Sequence, residues 1–335
     1  MTEADNPART LSENNQAVYA KLRYGAQLKT EAGQHFETIR FIDWAHPEKN
    51  DFAIAEEVTL RGGHERRPDL VLYINGVALG VIELKSGHVS ISDGVRQLIS
   101  NQRPEFNAAF FSTAQILFAG NNSEGLRYGT IGTEEKYFLQ WKEDETDNTG
   151  YKLDKYLGKM CRKERLLELL HDFVLFDGGK KKLPRVHQYF GIKAAQRHVD
   201  AYQGGIIWHT QGSGKSIVMV LLAKWILEHK PKARVLILTD RDELDKQIEG
   251  VFHDSGETIY RTSSGRDLMA QLSQAKPRLL CSLVHKFGRK GVKDFEGFIK
   301  ELKSLPSPAV GELFVFVDEC HRTHSGKLHK TMKAL

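Results

Sequence analysis

Cysteine is scarce in this sequence. The three residues, Cys161, Cys281 and Cys320, stand far apart and form no C-x-x-C pair. A disulfide framework is thereby excluded, and the plain reading is a reduced, cytoplasmic protein. No apolar run approaches the ~18 residues of a membrane span. The polar opening MTEADNPART lacks the apolar core of a secretory signal. Internal repeats and long low-complexity tracts are missing as well. Charge of one sign is not in large excess: 48 Lys/Arg against 43 Asp/Glu leave a net +5. That balance tolerates a polyanionic partner without requiring one.

What is present suits a soluble globular chain, with 335 residues, 40% hydrophobic and 27% charged, enough for roughly two domains. Charge is unevenly spread. Gly178–His198 holds six Lys/Arg and no acid, whereas four of the five residues Glu143–Asp147 are acidic. The basic stretch suits either a phosphate-contacting segment or a solvated linker. Periodicity predicts a helix over 11–30 with Ser12 as its N-cap, and strands in TIRFIDW and FAIAEEVTL. A hairpin follows at 69–85, then a helix at 94–101, strands in AQILFAG and KYFLQW, and one amphipathic helix from Gly158 to Phe176. DGGKKKLPR breaks that helix and marks a boundary. The expected organisation is therefore an α/β domain over 1–170, a basic linker over 171–190, and a second domain over 191–335. In the last of these, GIIWHT, RVLILT, RLLCSLV and LFVFV alternate with helical runs, the pattern of a parallel sheet covered by helices.

HTQGSGKS (His209–Ser216) sits between an apolar run and a long helix. It fits the phosphate-loop pattern except that His209 stands where the first glycine belongs. Gly212, Ser213 and Gly214 would wrap phosphate oxygens, with Lys215 reaching the outer phosphates and Ser216 ligating Mg2+. A glycine-rich turn before a helix is the bland alternative. LFVFV ends in Asp318 and Glu319. Carboxylates at the end of a parallel strand project into a ligand crevice, Asp318 toward Mg2+ and Glu319 toward the attacking water. Cys320, His321, His324 and His329 match no zinc spacing.

Asn75-Gly76 between LVLYI and VALGVIEL predicts a hairpin with Asp69 at one strand end and Glu83 and Lys85 at the other. Charges inside an apolar run are costly unless paired. Asp69 and Glu83 could ligate Mg2+ with Lys85 near the attacking water; the alternative is an ion pair of Glu83 with Lys85 or Arg67. A strict two-residue turn would set Asp69 against Ile82 and turn Glu83 to the opposite face. A shared site therefore requires a one-residue departure, either a bulge at Gly76 bringing Asp69 opposite Val81, or Asp69 just outside the pairing.

DECH resembles the DEAD/DEAH box of superfamily 2 helicases and translocases, whose phosphate loop often lacks the first glycine. The resemblance implies that Gln196 reads adenine and that Val235–Leu244 corresponds to the motif touching the DNA backbone. Pro68-Asp69 through Glu83-x-Lys85 looks like the PD-(D/E)xK nuclease signature. The two together resemble the restriction subunit of Type I restriction-modification enzymes over nearly the whole chain, implying a PD-(D/E)xK nuclease domain followed by a partial RecA-like ATPase domain. Many members carry Q-x-x-x-Y after the hairpin; Gln97 matches the glutamine, and Asn101 replaces the tyrosine. The resemblance implies ATP and Mg2+ as cofactors, double-stranded DNA as substrate, and methyltransferase and specificity subunits as partners. ATP-driven translocation would precede cleavage at remote sites. Motors of this kind continue into further motifs and a second RecA-like domain, so the expectation for this chain is ATP binding without translocation, with a strand missing beside LFVFV. A different nuclease–helicase fusion of repair or phage defence, or a catalytically inert remnant, are the rival readings.

Overall fold

Thr10 and Glu13 form a reciprocal cap at the start of α1 (Leu11–Tyr24). The Glu13 carboxylate accepts from Thr10 N at 2.7 Å and the Thr10 hydroxyl accepts from Glu13 N at 3.3 Å. Thr10, not Ser12, is thus the N-cap, because only Thr10 has a glutamate three positions on. The helix stops six residues earlier than its apolar pattern suggested, at Gly25 with φ +86°. The computed structural model describes residues 6–29, 35–144, 146, 149–239, 252, 259–283 and 310–318. They divide into two units, Met1–Tyr189 and Phe190–Leu335.

In the first unit a short ribbon, β1 (Ala26–Leu28) with β2 (Glu37–Ile39), precedes a six-stranded sheet. The sheet strands are β3 (Phe52–Glu56), β4 (Leu70–Ile74), β5 (Val77–Leu84), β6 (Ile116–Asn121), β7 (Gly125–Gly129) and β8 (Leu139–Gln140), neighbouring in that order. Pairing is antiparallel except between β5 and β6. That parallel step needs a crossover, supplied by α2 (Ile91–Asn101) and α3 (Ala108–Phe111). Val95 and Leu98 of α2 pack with Val81, Leu117 and Ala119 of the sheet in one buried cluster. α2 is thereby fixed over β5.

The single helix expected over 158–176 is two, α4 (Lys152–Met160) and α5 (Lys163–Asp172), with a break at Cys161-Arg162. In one continuous helix the buried sets Leu153, Tyr156, Met160 and Leu166, Leu167, Leu169, Leu170 would face directions about 90° apart; the break lets both face inward. The stretch expected as a basic linker is a hairpin of β9 (Leu175–Asp177) and β10 (Lys180–Lys182) inside the first unit. Val174, Leu175 and Phe176 are buried. Lys181 is also interior, donating to Asn15 Oδ1 at 3.1 Å and to Gln115 Oε1, and burial holds its amine well below the usual lysine range. Lys182 pairs with Asp177. One of the three consecutive lysines is therefore interior and a second is held in an ion pair.

The unit boundary falls within α6 (Val186–Asp200). The second unit has a four-stranded parallel sheet in the order β12 (Ile259–Arg261), β13 (Leu279–Leu283), β11 (Ala233–Thr239), β14 (Glu312–Val317). α7 (Lys215–His229) packs on β11 and α8 (Gly265–Leu272) joins β12 to β13. GIIWHT, expected as a strand, is irregular chain, with Ile206 80% and Trp208 86% exposed. Its apolar run fits a buried strand, but it has no ladder partner among the described residues, and β14 is an edge strand there. The helix expected at RDELDKQIEGVF lies outside the described residues save Phe252. Among the described residues no helix is long and apolar enough to cross a membrane.

Candidate functional site

Asn75 and Gly76 take φ of +49° and +78°, the two-residue turn that this dipeptide favours. Tyr73 pairs with Ala78 and Ile74 with Val77; then the register shifts, so that Leu72 pairs with Gly80, Val71 with Val81 and Leu70 with Ile82. Leu79 is the extra residue of this bulge. One further step brings Asp69, just outside β4, opposite Glu83. The departure therefore lies at Leu79, not at Gly76, and sets Asp69 toward Glu83 instead of Val81. Its place follows from local chemistry. The turn is already unstrained, while Gly80 has no side chain and lets Leu72 pack against its backbone; a Cβ there would lie 3.0 Å from Leu72 Cδ1.

Glu83 is 0% exposed. Among the described residues its Oε2 has no hydrogen-bond partner, and it forms an ion pair with Lys85 Nζ at 3.7 Å. Burial, reinforced by the negative charge of Asp69 and opposed by Lys85, pushes the Glu83 carboxyl up to about 8. Asp69 Oδ2 accepts from Leu84 N at 2.6 Å, and Lys85 Nζ donates to Gln97 Oε1 at 2.8 Å. Arg67, the other candidate partner of Glu83, pairs with Glu57 at 3.5 Å on the surface instead. The structure thus brings Asp69, Glu83, Lys85 and Gln97 together.

α2 forms the second wall. Gly94, Gln97 and Asn101 recur at i, i+3 and i+7, on one helix face. A Cβ on Gly94 would lie 3.6 Å from Glu83 Cβ, so the helix sits directly on the carboxylate strand. Asn101 is 1% exposed and its Nδ2 donates to Glu83 Oε1 at 3.5 Å. Asn101 is a site residue that its side-chain type did not announce; the signal was its spacing from Gln97. Two adjacent carboxylates, one of them buried, could serve as oxygen ligands for a hard divalent cation.

In the second unit, Gly212 and Gly214 take φ of +76° and +81°, a region open mainly to glycine, and Gly214 caps α7. The Ser213 hydroxyl donates to Thr210 O at 2.7 Å. Lys215 and Ser216 open α7, where the helix N-terminus favours anions. His209 packs on α6, its Nε2 3.2 Å from where a Gly191 Cβ would be. Gln196 of α6 is 4% exposed, and among the described residues its Nε2 has no hydrogen-bond partner. Three residues join α7 to β11, so the helix runs antiparallel to the strand it covers, and its N-terminus lies at the carboxyl end of the sheet. Asp318 follows β14 at that same end, its N–H donated to Leu238 O at 3.0 Å. Glu319, the Cys320–His329 cluster and residues 240–244 of the expected DNA-touching motif lie outside the described residues.

Residues 1–136, which contain the whole carboxylate–lysine constellation, match the family described as Type I restriction enzyme R protein N terminus. The first domain is thus of the kind found at the N terminus of type I restriction R proteins. Residues 187–335 match the SWI2/SNF2 ATPase family, and that match takes in Gln196, the glycine-rich loop and Asp318. The chain is thus a mixed α/β nuclease-type domain followed by a helicase-like ATPase domain. It is 27% identical over 373 residues to the endonuclease subunit named for the type I restriction enzyme MjaIXP of Methanocaldococcus jannaschii, covering 99% of this chain and 34% of that relative. It is 30% identical over 351 residues to the type I restriction enzyme HindI endonuclease subunit of Haemophilus influenzae, covering 94% of this chain and 32% of the relative. The chain spans about a third of the length of these relatives.

Proposed function

We propose that this chain carries the DNA-cleaving centre of a Type I restriction-modification enzyme in its first unit and the ATP site of its DNA translocase in the second. The substrate is double-stranded DNA, the partners are methyltransferase and specificity subunits, and the setting is the cytoplasm. The observation that supports the cleavage centre best is the convergence of Asp69, Glu83 and Lys85 around a buried carboxylate. Asp69 and Glu83 would hold Mg2+. When bound, that ion polarises the phosphodiester and lowers the pKa of a water nucleophile. Lys85, held by Gln97, places an ammonium group where negative charge grows on the phosphate oxygens. Burial of Glu83 keeps bulk water from competing for the carboxylates.

In the second unit we assign triphosphate binding to Gly212, Ser213, Gly214 and Lys215, with Ser216 and Asp318 toward Mg2+, Glu319 toward the attacking water and Gln196 toward the adenine. The cleavage assignment is tested by incubating the purified chain with supercoiled plasmid and Mg2+, alone and with EDTA. Nicking that disappears in EDTA and in D69N, E83Q and K85A is expected. Nicking that persists undiminished in D69N and E83Q refutes the assignment.

A further inference from the structure

Asn101 closes α2 with its side chain in the interior, and the chemistry proposed above leaves it without a role. Its Nδ2 reaches Glu83 Oε1, but among the described residues its Oδ1 has no hydrogen-bond partner, and Glu83 Oε2 has none beyond the longer ion-pair contact with Lys85 at 3.7 Å. Two buried acceptors around one carboxylate thus lack a hydrogen bond. Leaving a buried acceptor unmatched costs ~1–3 kcal/mol, and buried polar groups in native structures are rarely left so. A hydrated divalent ion supplies both missing partners: positive charge for the Glu83 oxygen and a water O–H for the amide oxygen. Asn101 is well placed for the second. Its backbone carbonyl accepts from Asn107 N at 3.3 Å, and the close approach at Gly94 fixes the helix over β5.

We infer that Asn101 is a positioning residue of the ion site: its amide N–H holds the Oε1 edge of Glu83, and its carbonyl oxygen accepts a hydrogen bond from water on the ion. This rests on the reading of Asp69 and Glu83 as ligands. Ligands fixed by such outer contacts bind more tightly, and loss of an outer partner commonly weakens metal affinity about 10–100-fold.

The test is calorimetric titration of Mn2+ into the full chain, with melting in EDTA measured alongside. N101L keeps the branching and side-chain heavy-atom count of asparagine while it removes the Oδ1 acceptor together with the amide donor. It should still melt cooperatively in EDTA, yet bind Mn2+ about tenfold more weakly, the equivalent of about 1.4 kcal/mol. A side chain that only supports the fold would lower the melting temperature and leave the affinity unchanged, and that result overturns the inference. N101A, which leaves a cavity and no crowding, should show the same weakening; Mn2+ affinity within about twofold of wild type in whichever of the two variants folds also overturns it. D69N separates the two readings: if it binds Mn2+ as the wild type does, the ion site is elsewhere and the proposed cleavage centre falls with it.

Discussion

A carboxyl group with no exposure, facing a second carboxyl, makes stability depend on pH in a definite direction. Glu83 in the fold holds its proton up to about 8, against the ordinary 4.5 of a free glutamate. Below 4.5 both folded and unfolded chains carry the proton, and the group contributes its full stability. Between there and about 8 only the folded chain carries it, so stability falls as pH rises through this window. Above it the buried carboxylate is charged and the loss is complete. In EDTA, melting of the first unit should therefore drop between pH 5 and 8, and E83Q should flatten that slope. Mn2+ replaces the proton, so its stabilising effect should be small at pH 5.5 and grow toward pH 8.5. An EDTA melting profile as steep in E83Q as in wild type would assign the slope to other groups.

Helix α2 carries three functions on one face, and Gly94 is what lets it approach. A Cβ at Gly94 would lie 3.3 Å from Ala119 Cβ, tight but relievable by a small shift. G94A gains helix propensity of ~1 kcal/mol and loses a similar amount to crowding, so its melting should stay near wild type. G94V adds two methyls where there is no room; it should cost ~1–3 kcal/mol and weaken Mn2+ binding by tilting Gln97 and Asn101 away. Circular dichroism melts and Mn2+ titration of both variants check this. The turn at Asn75-Gly76, the charged hairpin ends and the glycine-rich turn before α7 were legible in the sequence because each depends on neighbours in the chain. The bulge at Leu79 was not. Its position depends on Leu72 packing over Gly80, a cross-strand contact that periodicity does not carry, although the need for some departure followed from strand geometry. The hairpin of β9 and β10 was hidden by its composition: three lysines in a row read as solvent-facing, whereas Lys181 finds amide acceptors on α1 and next to β6. GIIWHT was misread for the complementary reason, since an apolar run states a preference for burial but supplies no neighbouring strand.

Each unit holds its own candidate site, the carboxylates and Lys85 in Met1–Tyr189 and the glycine-rich loop in Phe190–Leu335. Ligands that bind the folded state stabilise only the unit that holds them, by about 2.7 kcal/mol at a concentration about 100 times Kd. Mn2+ alone should therefore raise the melting of the first unit, and ATP with Mg2+ should raise that of the second. K215A removes the ammonium proposed to meet the outer phosphates, and should abolish the ATP shift while leaving the Mn2+ shift intact. D69N should do the opposite. Calorimetric scans of wild type and both variants, with each ligand singly and together, give the four responses needed. Additive shifts in wild type identify two independent sites. If K215A instead erases the Mn2+ response, or D69N the ATP response, the sites are thermodynamically coupled, and a coupling free energy must be assigned between them.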